Sequence, residues 1–167
     1  MGKVLSKFTN GWTGAVSRSI DDIIISMKNA ADAAIPFGAP VFQASGENAC
    51  VPFNSSTSTG TNFVGFAVRV PDKTPDTAVT AQNQANPLAV WRRYETMEVL
   101  VRGAVTVPMA VSANRGSEIY LRKADGKLVA SPGATGSTIE LTNVKLRNAR
   151  DTVSGCAEVI VNKRNII

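Results

Sequence analysis

Along much of this chain apolar and polar residues alternate with the two-residue period of a half-buried strand. Asp22-Ile23-Ile24-Ile25-Ser26-Met27 is the first such run and places Ile23, Ile25 and Met27 on one face. Pro36 and Pro40 cannot both donate to a central ladder, so residues 35–42 belong at a strand start or a sheet edge. Residues 63–70 are apolar on both faces, the pattern of a central strand or of one covered on each side. Residues 97–102 and 105–109 flank Gly103, which predicts one long bent strand or two strands meeting at a glycine kink. Residues 119–122 and 127–130 are joined across Asp125-Gly126, a pair suited to a two-residue hairpin turn. With residues 139–141, 144–147 and 157–161, the runs amount to about eight or nine short strands, spaced as in a sandwich or barrel.

Two stretches do not fit this scheme. In residues 1–19, Val4, Phe8, Trp12 and Val16 recur every four positions, as on one stripe of a helix. Gly11, Thr13 and Gly14 interrupt that stripe and weaken a helix that would be marginal alone. Residues 1–19 therefore read as an extended N-terminal arm preceding a β domain of residues 20–167. Eighteen extended residues reach up to about 60 Å. Exposed, Phe8 and Trp12 would be sticky, so they are expected to find a partner surface; the alternative is an arm folded back onto its own domain. Residues 71–94 form the second irregular stretch, rich in Pro, Thr, Asn and Gln. It ends in Trp91-Arg92-Arg93-Tyr94, two aromatics beside two guanidiniums. The candidate protein-interface residues are Phe8, Trp12, Val16 and Arg18 in the arm, with Trp91, Arg92, Arg93 and Tyr94 in this segment.

Composition supports the strand pattern. Val, Ile and Thr far outnumber Leu, and β-branched side chains suit a pleated surface better than a helix. The fold expected is all-β, a small antiparallel barrel or sandwich. At 167 residues and 44% hydrophobic content the chain can bury one ordinary core. No apolar run approaches the roughly 18–20 residues of a spanning helix. The interrupted N-terminus is not that of a signal peptide. No membrane partner is expected.

Charge and chemistry narrow the function by exclusion. The net charge is +5, and residues 1–19 hold Lys3, Lys7 and Arg18 with no acid. A nucleic-acid-binding β-barrel is the alternative this suggests, with Trp91 and Tyr94 stacking on bases between Arg92 and Arg93. Aromatics make up only 6% of the residues, few for a row of stacking platforms. There is no histidine, which removes the commonest general base, nucleophile partner and metal ligand. Cys50 and Cys156 are too far apart for a zinc motif; they are expected as buried thiols, with a single disulfide as the alternative. No phosphate-cradling glycine loop occurs. No catalytic residue, metal, cofactor or small-molecule substrate is expected.

An ordered series of short patterns carries a resemblance. Asp21-Asp22-Ile23-Ile24, Ile35-Pro36-Phe37-Gly38 with Pro40-Val41, and Gly65-Phe66-Ala67-Val68-Arg69 come first. Val99-Leu100-Val101-Arg102-Gly103 with Val105-Thr106-Val107, Arg115-Gly116 and Tyr120 follow, then Gly155-Cys156-Ala157-Glu158-Val159 and Lys163-Arg164. This order resembles the structural cement, or head decoration, proteins of tailed bacteriophages over residues 20–165. The resemblance implies a β-barrel-like domain on the outside of an icosahedral head, often trimeric, that clamps neighbouring major capsid proteins. It also implies residence in the virion after assembly in the cytoplasm of a bacterial host. The resemblance supplies no interface residues; those named above come from the residue patterns alone.

Overall fold

The computed structural model describes residues 10–17, 21–46, 48–70, 90–152 and 154–165. Strands, and no helix, run through them: β1 (Ile23–Asn29), β2 (Ile35–Pro36), β3 (Pro40–Gln43), β4 (Ala49–Pro52), β5 (Phe63–Ala67), β6 (Val90–Trp91), β7 (Thr96–Pro108), β8 (Glu118–Arg122), β9 (Leu128–Val129), β10 (Thr138–Asn148) and β11 (Cys156–Val161).

Five of these close a barrel in the order β1-β4-β3-β5-β7, with β7 returning to pair with β1. β1 and β4 are parallel, and the other barrel pairs are antiparallel. β7 is the longest strand at 13 residues, and it serves two layers. Its first half pairs with β1 and β5. From Gly103 to Pro108 it pairs with β11, which leads on through β10 and β8 to β9. The glycine kink expected at Gly103 is where the strand passes from barrel to sheet (φ +118°). The all-β expectation holds among the described residues.

The core divides accordingly. One cluster fills the barrel around Met27, Ile35, Phe37, Val64, Trp91, Met97 and Val99. The other joins Phe42, Phe63, Phe66 and Leu100 to Ile119, Leu121, Leu146 and Val159 of the outer sheet. Every residue of β5 is buried, and its side chains enter both clusters. Its two-sided apolarity is therefore consumed inside the domain and does not mark a partner surface.

Three local expectations are corrected. In β1, the register shifts between Ile23 and Ile24, so only the later residues keep a buried face. Ile23 is 38% exposed and Ile24 42%, while Met27 and Asn29 are buried. Residues 139–147 form one strand, β10, in place of two; Asn143 (φ +64°) bends it and the pairing to β8 skips from Glu140 to Lys145. The hairpin at Asp125-Gly126 exists, but its loop spans residues 123–126. Arg122 N donates to Lys127 O (2.9 Å), Gly126 N donates to Arg122 O (2.8 Å), and only Gly126 has positive φ. The cause is Asp125: its carboxylate takes both Nε (2.9 Å) and Nη2 (2.6 Å) of Arg122, holding the longer turn.

Candidate functional site

The first candidate segment, residues 10–17, lies along β7. Gly14 N donates to Thr106 O (2.7 Å), Thr106 N to Ala15 O (2.9 Å) and Ser17 N to Ala104 O (2.9 Å). Val16 bridges Val105 antiparallel. Since β11 already holds one edge of this half of β7, residues 14–17 close the other edge. Such an edge left bare would template pairing with another chain. Further ties fix the ends: Thr106 Oγ1 donates to Asn10 O (2.6 Å), Asn10 Nδ2 to Cys156 O (2.9 Å), and Ser17 Oγ to the buried Glu158 carboxylate.

Gly14 explains why a strap rather than a helix forms here. Its φ is +75°, and a β carbon on it would come within 2.9 Å of both Arg69 N and Phe37 Cβ. Only a residue without a side chain lets the strap approach so closely. Arg69 N in turn donates to Gly14 O (2.8 Å). Its guanidinium sits 5.4 Å above the Trp12 ring and 5.7 Å from Phe37, a cation–π contact that holds Trp12 half-buried. Trp12 and Val16 thus meet their own domain, as in the alternative of an arm folded back. Phe8 and Arg18 lie outside the described residues.

The second candidate, residues 91–94, is a turn with one buried end and one exposed end. Trp91 is 4% exposed; its Nε1 donates to Val68 O (3.0 Å) and its ring meets Phe37 edge-on at 6.0 Å. Expected at the surface, Trp91 belongs to the barrel core, because the indole N–H finds its acceptor there. It can stack on neither a base nor a partner. Arg92, Arg93 and Tyr94 are exposed.

Asn29 builds this turn, although nothing in the sequence reading pointed to it. It is fully buried; Nδ2 donates to Ala33 O (3.0 Å) and Arg92 O (3.1 Å), and Oδ1 accepts from Ala31 N (3.1 Å). The backbone closes the clamp, Asn29 N donating to Glu95 O and Tyr94 N to Asn29 O, both at 2.9 Å. The signal available was a lone amide at an inward position of β1, since a buried amide must be satisfied. What the clamp holds out is Tyr94, 54% exposed and in the left-handed region at φ +60°. Lys28 Nζ lies 5.0 Å and the Arg93 guanidinium 4.3 Å from its ring centroid. Arg93 also pairs with Asp32 (2.6 Å).

Nothing in this arrangement performs bond chemistry. Cys50 and Cys156 are free and buried; burial pushes their thiols up to about 12 and about 11, so neither supplies a thiolate. Among the described residues no group of three or more Cys, Asp or Glu could hold a metal ion. What the 91–94 turn presents at the surface is an exposed aromatic ring beside two cations, held by a buried clamp.

Comparison with known proteins agrees. Residues 3–162 match the family described as structural cement protein (E217 gp24/Pam3 gp6) of phages. A chain in "The capsid of Myoviridae Phage XM1" shares the fold, with a TM-score of 0.72 over 97% of this chain and 96% of that one, at 17% identity. The N base of head fiber gp8.5 of bacteriophage phi29 aligns at a TM-score of 0.42 and 10% identity, over 87% of this chain and 99% of that one. No curated protein matches the sequence. With residues 3–162 matched, nearly its whole length, the chain belongs to the phage structural cement proteins, non-enzymatic components that stabilise the capsid.

Proposed function

We propose that this chain binds the outside of an icosahedral phage head at the boundaries between capsomers, associates there as a homotrimer, and clamps adjacent copies of the major capsid protein. The observation that carries the reading is the Tyr94 turn. A non-glycine residue held at positive φ costs free energy, and such strain persists where the surroundings enforce it for a function. Here the buried Asn29 clamp enforces it, and its product is an exposed tyrosine between two cations. Tyr and Arg are the residues most enriched among those that dominate binding energy at protein interfaces.

Trp12 on Arg69 and the exposed Ile23–Ile24 pair extend the contact surface. The accessible surface is 9369 Å², so a standard contact of about 800 Å² per partner covers less than a tenth of it. Several partners can be held at once. Because the contacts exist only on the assembled shell, binding adds its free energy to the shell and not to free capsid protein.

Sedimentation with heads stripped of this protein tests the proposal. The expected result is saturable co-sedimentation at a fixed ratio to the major capsid protein, with three copies per occupied site, lost on Tyr94→Ala. Absence of co-sedimentation by the folded wild-type chain overturns it.

A further inference from the structure

A groove of about 930 Å³ opens on a surface that shares no residue with the Tyr94 turn. Pro36, Pro40, Pro108, Met109 and Leu128 form its floor, and Val111, 45% exposed, stands at its lip. The three prolines offer no N–H, so the floor has few backbone donors for an added strand and holds an occupant mainly by apolar contact. The volume is at the upper end of the roughly 300–1,000 Å³ typical of binding clefts, far larger than one side chain needs.

The rim gives the occupant its charge. Arg122, Lys127 and Arg150 face a single carboxylate, Asp125. Asp125 is taken by Arg122 through two hydrogen bonds and by Lys127 Nζ at the longer ion-pair distance of 4.0 Å, the Lys127 side chain staying 64% exposed. Arg150 spends Nε on Met109 O (2.7 Å), which fixes its guanidinium beside the floor. Three cations against one carboxylate therefore leave the rim a formal excess of two positive charges above apolar ground.

We propose that this groove receives a protruding loop of the shell protein in which an apolar side chain is flanked by a carboxylate. The apolar group seats against Leu128, Met109 and Val111, and the carboxylate meets Lys127 and Arg150. The inference rests on the shell-binding reading above and names a second contact for it.

Binding of purified chain to stripped heads is measured for wild type, Val111→Asp, Lys127→Glu and, as a control on an exposed residue outside the groove, Lys163→Glu. Val111 and Lys127 are exposed, so each variant is expected to unfold at the wild-type temperature. The expected result is at least a tenfold loss of affinity for Val111→Asp and Lys127→Glu, none for Lys163→Glu, and a shallower salt dependence for Lys127→Glu. Wild-type binding with unchanged groove variants overturns the groove alone. A wild-type chain that does not bind heads overturns the shell-binding reading and the groove's partner with it. Loss of self-association with head binding retained assigns the groove to a second copy of this chain and also overturns the proposal.

Discussion

Asp22 packs against Gly103 of β7: a β carbon on that glycine would run into the Asp22 carboxylate and lie 3.1 Å from Asp22 Cα. Gly103 gives the room for that contact and the positive φ for the bend of β7 at one position. Replacement by alanine is expected to lower stability by roughly 1–3 kcal/mol from backbone strain alone. Thermal unfolding should show it as a fall of several degrees in Tm, and an unchanged Tm would contradict the close contact and the bend.

The strap divides the N-terminus into two parts with different consequences on removal. Deleting residues 1–9 leaves every described hydrogen bond of the strap in place, so the strap and its cover over the edge of β7 should be retained and the chain should show no concentration-dependent association. Deleting residues 1–17 removes several bonds to β7 and Arg69, each worth about 0.5–1.5 kcal/mol net, and bares an edge. A loss on the order of 3–5 kcal/mol and concentration-dependent association are expected. Only the shorter deletion tests the contribution of the first residues to head binding without disturbing the fold.

Tyr94 offers a separation of stability from function. Tyr94→Gly removes the cost of positive φ at that position, so the folded state should be unchanged or stabilised by up to about 1 kcal/mol. Head binding should nevertheless fall at least tenfold, as at an interface hot spot. A variant that is more stable and binds as well as wild type would show that the strain serves something else.

The 123–126 hairpin carries a pH signature. The Arg122 hydrogen bonds hold the Asp125 carboxyl at about 2, below its ordinary 3.8. A depressed folded pKa contributes stability that is complete above the ordinary value and lost as pH falls toward the folded value. The Tm difference between wild type and Asp125→Asn should therefore be constant from pH 7 to about 5 and shrink between about pH 4 and pH 2. A difference that grew with acid would contradict the assigned partner.

Much of the fold is legible in local pattern because strands advertise themselves by alternation. β1, β5, β7, β8 and β11 all follow from short apolar or alternating runs and β10 from two such runs, and the kink in β7 follows from Gly103. What is not legible depends on distant partners. The four-residue spacing of Phe8, Trp12 and Val16 imitates a helix, although glycines at 11 and 14 within it also fit a backbone that must come close to another. Trp91 reads as surface beside Arg92 and Arg93 because its acceptor, Val68 O, lies 23 residues earlier. Asn29 is marked locally only as an amide at an inward position, since the turn it clamps, at Arg92 O, lies 63 residues later. The 91–94 segment is thus legible as unusual, while which of its side chains face outward is set by tertiary packing.

Heating heads that carry this protein beside heads stripped of it, while recording genome release, tests the central claim most directly. A cement whose contacts exist only on the closed shell should raise the release temperature, and adding back the purified chain should restore it. Identical release with and without the protein would contradict the account.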